Sequence, residues 1–230
     1  LWDTPFLFNT AKEADTVLDG PIGQKVMDKL QEKGLVGLAY WENGFRNLTN
    51  SKRPVTKLED LDGIKLRVMQ NEVYLDSFKL MGANAIPLPF SELFSALETK
   101  TVDGQENPYN TILSSKFYEV QKYFTEVNYQ FHPDPFYVNA AWWNGLPEEY
   151  RDIITECATK MGEYNDELID KNSSAAKQTI VDSGCEVYEP SADELKAFQT
   201  AVQSVYDQCV TEGICTADEI KEMQDIVAKA

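Results

Sequence analysis

Histidine is nearly missing from this sequence: 230 residues hold one, His132, and Pro133 follows it. A nucleophile-imidazole-carboxylate triad needs an imidazole beside the nucleophile, and zinc recruits several His or Cys, so both chemistries lack their material. The four cysteines, Cys157, Cys185, Cys209 and Cys215, include no C-x-x-C pair, which argues against a metal ribbon. Basic residues are scarce as well: 21 Lys and Arg stand against 38 Asp and Glu, a formal net charge of −17. Without a cationic excess to displace counterions, nucleic acid and anionic membrane surfaces are poor partners. No apolar run approaches the roughly 20 residues of a membrane span, and no charged-then-apolar signal peptide is present. An acidic shell repels free anions at long range, so any anion site must be local and concave.

What remains is a composition that is 43% hydrophobic, enough for one large domain or two small ones with proper cores. DGPIGQKVMDKLQEKG predicts a helix with Pro21 in its first turn and Gly34 at its end. LVGLAYW predicts a short strand ending in Tyr40 and Trp41, and GFRNLTNSKRPV, rich in turn formers, a polar loop carrying Arg46. In the strand IKLRVM, Ile64, Leu66 and Val68 share one face while Lys65 and Arg67 share the other. A helix from Glu72 to Met81 closed by Gly82, a strand at AIPLPF, a helix capped by Ser91 and a strand at VDGQEN follow. This order is an α/β signature, and in such sheets ligands sit at the carboxyl ends of the strands. Arg67 and Asn107 both fall there. An arginine can grip a carboxylate by two parallel hydrogen bonds and an asparagine can fix its orientation, so this segment looks like half of a cleft for a small organic anion. Asn107 has a structural reading too, as cap of a helix beginning at Pro108, and the two roles are compatible.

Further along, FYVNAAWW is strand-like, so that at most one of Trp142 and Trp143 faces the cleft. From Pro147 to Ser183 one helical pattern runs unbroken, with Tyr150, Ile153, Ile154, Cys157, Met161, Leu168 and Ile169 on its apolar side. Capping boxes at Ser191-x-x-Glu194 and Thr216-x-x-Glu219 open two more helices, read as a docked helical hairpin. The turn between them contains Gly213 and places Cys209 near Cys215, which predicts a disulfide in an oxidising compartment; Cys157 and Cys185 are expected to be buried thiols.

The segments GFRNLTNSKRPV, DLDGIKLRVMQ, MGANAIPLPFSELFSALETKTVDGQENP and KFYEVQKY together resemble the extracytoplasmic solute-binding proteins of tripartite ATP-independent periplasmic (TRAP) transporters, of the DctP type. The resemblance runs from Pro5 to the end of the chain. It implies a two-lobe, periplasmic-binding-protein-like α/β fold hinged around a ligand cleft, with a long helix across both lobes, matching the pattern from Pro147 to Ser183. The expected division is residues 1–43 with 132–171 in lobe I, and 44–131 with 172–230 in lobe II. Mature members carry a further strand-helix-strand segment before the PFLF motif, so lobe I is expected to lack it here. The resemblance also implies periplasmic or extracytoplasmic location, including lipid attachment through such a segment, an organic acid as ligand and TRAP membrane subunits as partners. No cofactor or metal is called for.

By motif, Arg67 corresponds to the family's carboxylate-binding arginine, Asn107 to its asparagine in the DGQEN segment, and Arg46 to an arginine near the ligand. Apart from the family, Arg46 also reads as a solvated loop charge. Gln70 either bonds a ligand oxygen or caps the next helix, and Tyr40, Phe90 and Trp142 are aromatics of which one or two would wall the pocket. A single anchoring arginine fits a sugar acid such as a uronate; Arg46 as a second anchor would fit a C4-dicarboxylate. A sensor domain would use the same cleft. An enzyme finds no base beyond the solitary His132, and Glu92, Asp103 and Glu106 are better read as helix and turn residues than as a hydrolase pair.

Overall fold

The computed structural model describes residues 1–229, an α/β assembly built on one mixed sheet. Two short helices, α1 (Ala11–Leu18) and α2 (Pro21–Lys29), lead into β1, a strand of 16 residues from Leu35 to Asn50. A parallel unit follows: β2 (Lys65–Val68), α3 (Glu72–Leu80), β3 (Asn84–Pro87), α4 (Phe90–Glu98), β4 (Gly104–Asn107) and α5 (Tyr109–Ser114). The chain returns through β5 (Tyr123–Asn139) and α6 (Ala140–Asn144) to the 35-residue helix α7 (Glu148–Asp182). It closes with β6 (Glu186–Tyr188), α8 (Ala192–Ala201), α9 (Gln203–Thr211) and α10 (Ala217–Val227). The strand order is β3-β2-β4-β1-β5-β6. β2 is parallel to β3 and β4, whereas β1 runs antiparallel to both β4 and β5.

The predicted alternation of strand and helix between Ile64 and Asn107 is present, as is the long helix within one residue at each end. Both capping boxes form: Ser191 accepts from the Glu194 amide and Thr216 from the Glu219 amide, each glutamate reaching back. Four local expectations are corrected. GFRNLTN is strand, not loop, because β1 continues to Asn50 against β5 and β4. FYVNAAWW is not one strand: the Asn139 side chain accepts from the Trp142 amide at 3.0 Å and turns the chain into α6. Pro89, not Ser91, precedes the first residue of α4, and Pro108, not Asn107, precedes that of α5.

A fifth correction concerns sulfur. Cys209 and Cys215 are both free thiols, buried in the main apolar cluster with Val205 and Met223. The amides of Ile214 and Cys215 close the end of α9 by bonding the Cys209 carbonyl at 2.9 and 3.4 Å. Both side chains thus serve as small apolar filling, and burial pushes the Cys209 thiol up to about 11. Cys157 is exposed and Cys185 half-buried.

Two long antiparallel strands form the spine. Pro133, opposite Glu42 in β5, offers no N–H, and the main chain of Glu42 turns instead to α7: its amide donates to Asp166 Oδ1 at 3.0 Å and its carbonyl accepts from Asn165 at 2.7 Å. One turn away, Trp41 donates to the Ala158 carbonyl at 3.1 Å and lies over Gly162, where an added Cβ would stand 3.0 Å from the indole. The buried stripe of α7 is therefore made of Ala158, Gly162, Ala176 and Ile180, while Tyr150, Ile153 and Met161 of the anticipated apolar side are exposed.

Candidate functional site

Adjacent parallel strands β2 and β4 end side by side, and their last residues carry the polar groups of the site. Arg67 is the third residue of β2 and is 3% exposed, so it does not look outward from a surface strand. β2 is an interior strand between β3 and β4, buried from Leu66 to Val68 whichever face a side chain takes, so strict alternation does not hold there. Its Nε donates to the Leu88 carbonyl at 2.8 Å, and the guanidinium lies 6.0 Å from the ring centroid of Phe90. Its Nη1 is buried with no protein acceptor. Burial pushes this guanidinium down from its usual range, with Glu106 opposing and Arg46 adding to the effect.

Arg46 has the opposite environment. It sits in β1 facing β4, fully buried, and Glu106 takes its Nε at 2.5 Å and its Nη2 at 3.0 Å in a fork-to-fork ion pair. The Glu106 carbonyl and Asn107 Oδ1 also accept from Nη2, at 2.9 and 3.0 Å. Burial alone would push this guanidinium down, but Glu106 and its hydrogen bonds outweigh that and keep it firmly protonated. Tyr129 completes the cluster by donating to Glu106 Oε2 at 2.6 Å. The charge of Arg46 is thereby cancelled within the protein, and the guanidinium stands 5.5 Å from the ring centroid of Tyr74.

Asn107 is held by this network. Arg46 is a pure donor, so its bond fixes the amide oxygen toward β1, and Nδ2 donates to Gln105 Oε1 at 2.5 Å. The relay continues from Gln105 to Thr49 and from Thr49 to Gln121, at 3.0 and 2.9 Å. All these side chains are buried, so each is satisfied by a neighbour rather than by water. One Nδ2 hydrogen of Asn107 remains uncommitted, and it is a donor.

The other anticipated residues are dispersed. Phe90 opens α4, half-exposed, with its ring edge-on to Phe117. Gln70 follows β2 and is exposed. Trp142 is exposed on α6. Tyr40 packs edge-on against Trp2 and donates to the Gly23 carbonyl at 3.2 Å. It lines a separate cavity of about 280 Å³ between α1, β1 and α7, ringed by Asp15, Asp19, Glu42, Glu163 and Asp166. Burial, then the neighbouring carboxylates, push Glu42 up to about 8 and Asp15 to about 6. Among the described residues no three His, Cys, Asp or Glu gather closely enough to hold a metal ion. Sequence reasoning did not find Tyr74 and Tyr129, whose hydroxyls reach the site because α3 packs on β2 and β3 while β5 pairs with β1, and a single sequence carries no signal of that.

Comparison with known proteins shows the family. Residues 1–212 match the model of the bacterial extracellular solute-binding protein family 7, DctP. The 2,3-diketo-L-gulonate-binding periplasmic protein YiaO of Escherichia coli is 36% identical over 227 residues, 98% of this chain and 69% of its own length. The C4-dicarboxylate-binding periplasmic protein DctP of Rhodobacter capsulatus is 31% identical over 209 residues, 90% of this chain and 62% of its own. The chain thus spans about two thirds of the length of these relatives. Among solved structures, the sugar acid binding protein DctPAm of Advenella mimigardefordensis, in complex with galactonate, superposes with a TM-score of 0.94 at 45% identity over 99% of this chain and 73% of that one. A TRAP periplasmic solute binding protein of Chromohalobacter salexigens with bound D-glucuronate gives 0.94 at 34% identity, covering 98% and 74%. The chain belongs to the bacterial extracellular solute-binding proteins of family 7, the DctP type.

Proposed function

We propose that this protein captures a sugar acid outside the cytoplasm and hands it to the membrane subunits of a TRAP transporter. The observation that carries the reading is the contrast between two buried arginines: Arg46 is cancelled by Glu106, whereas Arg67 Nη1 has no protein acceptor. A buried cation without a counterpart is costly, so a carboxylate that pairs with Arg67 recovers several kcal/mol of otherwise lost electrostatic and hydrogen-bond energy. Asn107 supplies a further donor to the same acid, and Phe90 a wall beside the guanidinium. With one uncompensated cation, the site favours a monocarboxylate over a C4-dicarboxylate. The sugar acids bound by the solved relatives support the same class.

Calorimetry with D-galactonate, D-glucuronate and D-galacturonate tests this. Arg67→Lys keeps the charge but not the planar pair of N–H groups, and the expected result is loss of most of the affinity. A loss of less than threefold overturns the assignment. A saturating ligand at about a hundred times its Kd should also stabilise the chain by roughly 2.7 kcal/mol.

A further inference from the structure

The only histidine of the chain stands in the middle of β5, opposite Gly44 of β1 and two residues from Gln130, which pairs with Arg46. Its protonation is dictated by a chain of hydrogen bonds whose directions are all fixed. Gln130 Nε2 donates to the Trp2 carbonyl at 3.0 Å, which leaves Gln130 Oε1 as an acceptor. Tyr74 has a single hydroxyl proton, and its acceptors are that oxygen at 2.8 Å and the neighbouring Asp3 carboxylate, so the proton is committed on that side. His132 Nδ1 stands 3.3 Å from the same hydroxyl and must be the donor, since the Tyr74 proton is already committed. In a neutral imidazole, Nε2 then carries a bare lone pair. Neutrality is secured by burial and by the nearby Arg46, which together push His132 down to about 3.

The Nε2 edge lies beside an exposed carboxylate. The His132 side chain is 18% exposed although Nδ1 is turned toward the buried Tyr74, and the nearest charged group to Nε2 is Asp134 Oδ1 at 3.6 Å, on a side chain 58% exposed. A lone pair and a carboxylate oxygen at that separation are two acceptors with no proton between them. A ligand hydroxyl satisfies them; a second ligand carboxylate meets like charge.

We infer that His132 is the specificity-determining residue of the site, its unprotonated Nε2 accepting the proton of a ligand hydroxyl and, with Asp134, turning away a second carboxylate. The inference rests on the reading of Arg67 as the carboxylate anchor and adds what lies at the far end of the ligand. Tyr74 ties the two together, its ring under Arg46 and its hydroxyl against His132 Nδ1, and the ligand inferred here places its acid at Arg67 and a hydroxyl at His132.

Two experiments test this. Because there is one histidine, a long-range ¹⁵N–¹H spectrum of the free protein reports its tautomer without ambiguity. The expected spectrum shows a neutral ring protonated at Nδ1 between pH 5 and 8; a ring protonated at Nε2, or an imidazolium, overturns the inference. Calorimetry then compares D-galactonate, its monodeoxy analogues, and succinate on the wild type, His132→Leu and His132→Gln. One deoxy analogue should bind the wild type about tenfold more weakly, as expected for one lost hydrogen bond, and should show no such penalty on His132→Leu. Glutamine, whose amide oxygen reaches the position of Nε2, should restore part of the discrimination. Succinate should bind more weakly than D-galactonate to the wild type. Equal deoxy penalties on all three proteins, or tighter binding of succinate, overturn the role of His132 while leaving Arg67 intact. If none of these acids binds the wild type, the Arg67 reading itself fails and His132 falls with it. Should His132→Leu not fold, the tautomer and the glutamine variant decide.

Discussion

Two arginines of the same sheet, Arg46 and Arg67, show how much a residue's meaning depends on its counterpart. The place of Arg67 was legible: an arginine beside Lys65 near the end of a short apolar strand, in a motif shared with a known family, needs no partner from the far chain to be noticed. Arg46 was misread as a loop charge, because the residues around it, Asn43, Gly44, Asn47 and Asn50, are turn formers whose preference is overridden by pairing with β4 and β5. The structure makes it half of a buried ion pair. Replacing Glu106 with Ala should therefore destabilise the fold by about 3–5 kcal/mol, since it strands a guanidinium away from water. Tyr129→Phe, which removes only the hydroxyl donated to Glu106, should cost about 1.5–3 kcal/mol. Urea midpoints of the two variants check both figures, and equal, near-zero shifts would show that water enters the cluster.

At the scale of elements, glycines mark where strands and helices approach too closely for a side chain. Gly104 begins β4 opposite Asn50, and a Cβ there would lie 2.2 Å from the Thr49 carbonyl oxygen. Gly104→Ala should therefore open the β4–β1 pairing, shift Glu106 and Asn107, and lower ligand affinity together with stability. Hydrogen exchange of the β4 amides measures the opening, and unchanged protection would contradict it. On α7, Gly162→Leu must displace Trp41 and should cost about 1–3 kcal/mol with a change in tryptophan fluorescence, as overpacking usually does. Most of the helices were legible, because caps, first-turn proline and terminal glycine act over a few residues, but α1 was not anticipated and α6 was expected to be strand. β1 and β5 were not legible at full length, since their hydrogen-bond partners lie some 90 residues apart in the chain and prolines 133 and 135 interrupt the local strand signal.

For the molecule as a whole, acidic residues are in excess, and five of the 38, Asp15, Asp19, Glu42, Glu163 and Asp166, ring one cavity beside the spine. A carboxyl held above its usual range binds its proton more tightly in the folded chain than in the unfolded one. The contribution of Glu42 is therefore full below about pH 4.5, the unfolded value, and is lost as pH rises through about 8. Glu42→Gln should leave stability at pH 4 nearly unchanged and raise it at pH 8 by on the order of 1 kcal/mol or more, roughly 2–4 °C in Tm for a chain of this size. A denaturation series across that range decides, and parallel curves for both proteins would refute it. The sequence by itself determined most of the helices, the parallel strand-helix unit, the family and the place of Arg67 on its strand, because caps, periodicity and motifs are short-range and need only neighbours along the chain. Only the tertiary structure decided that Arg46 is cancelled by Glu106, that the two buried cysteines are packing groups, and that His132 Nδ1 meets the Tyr74 hydroxyl. Each of these depends on a partner brought from another element, and charge, thiol chemistry and tautomer are settled by the partner rather than by the residue.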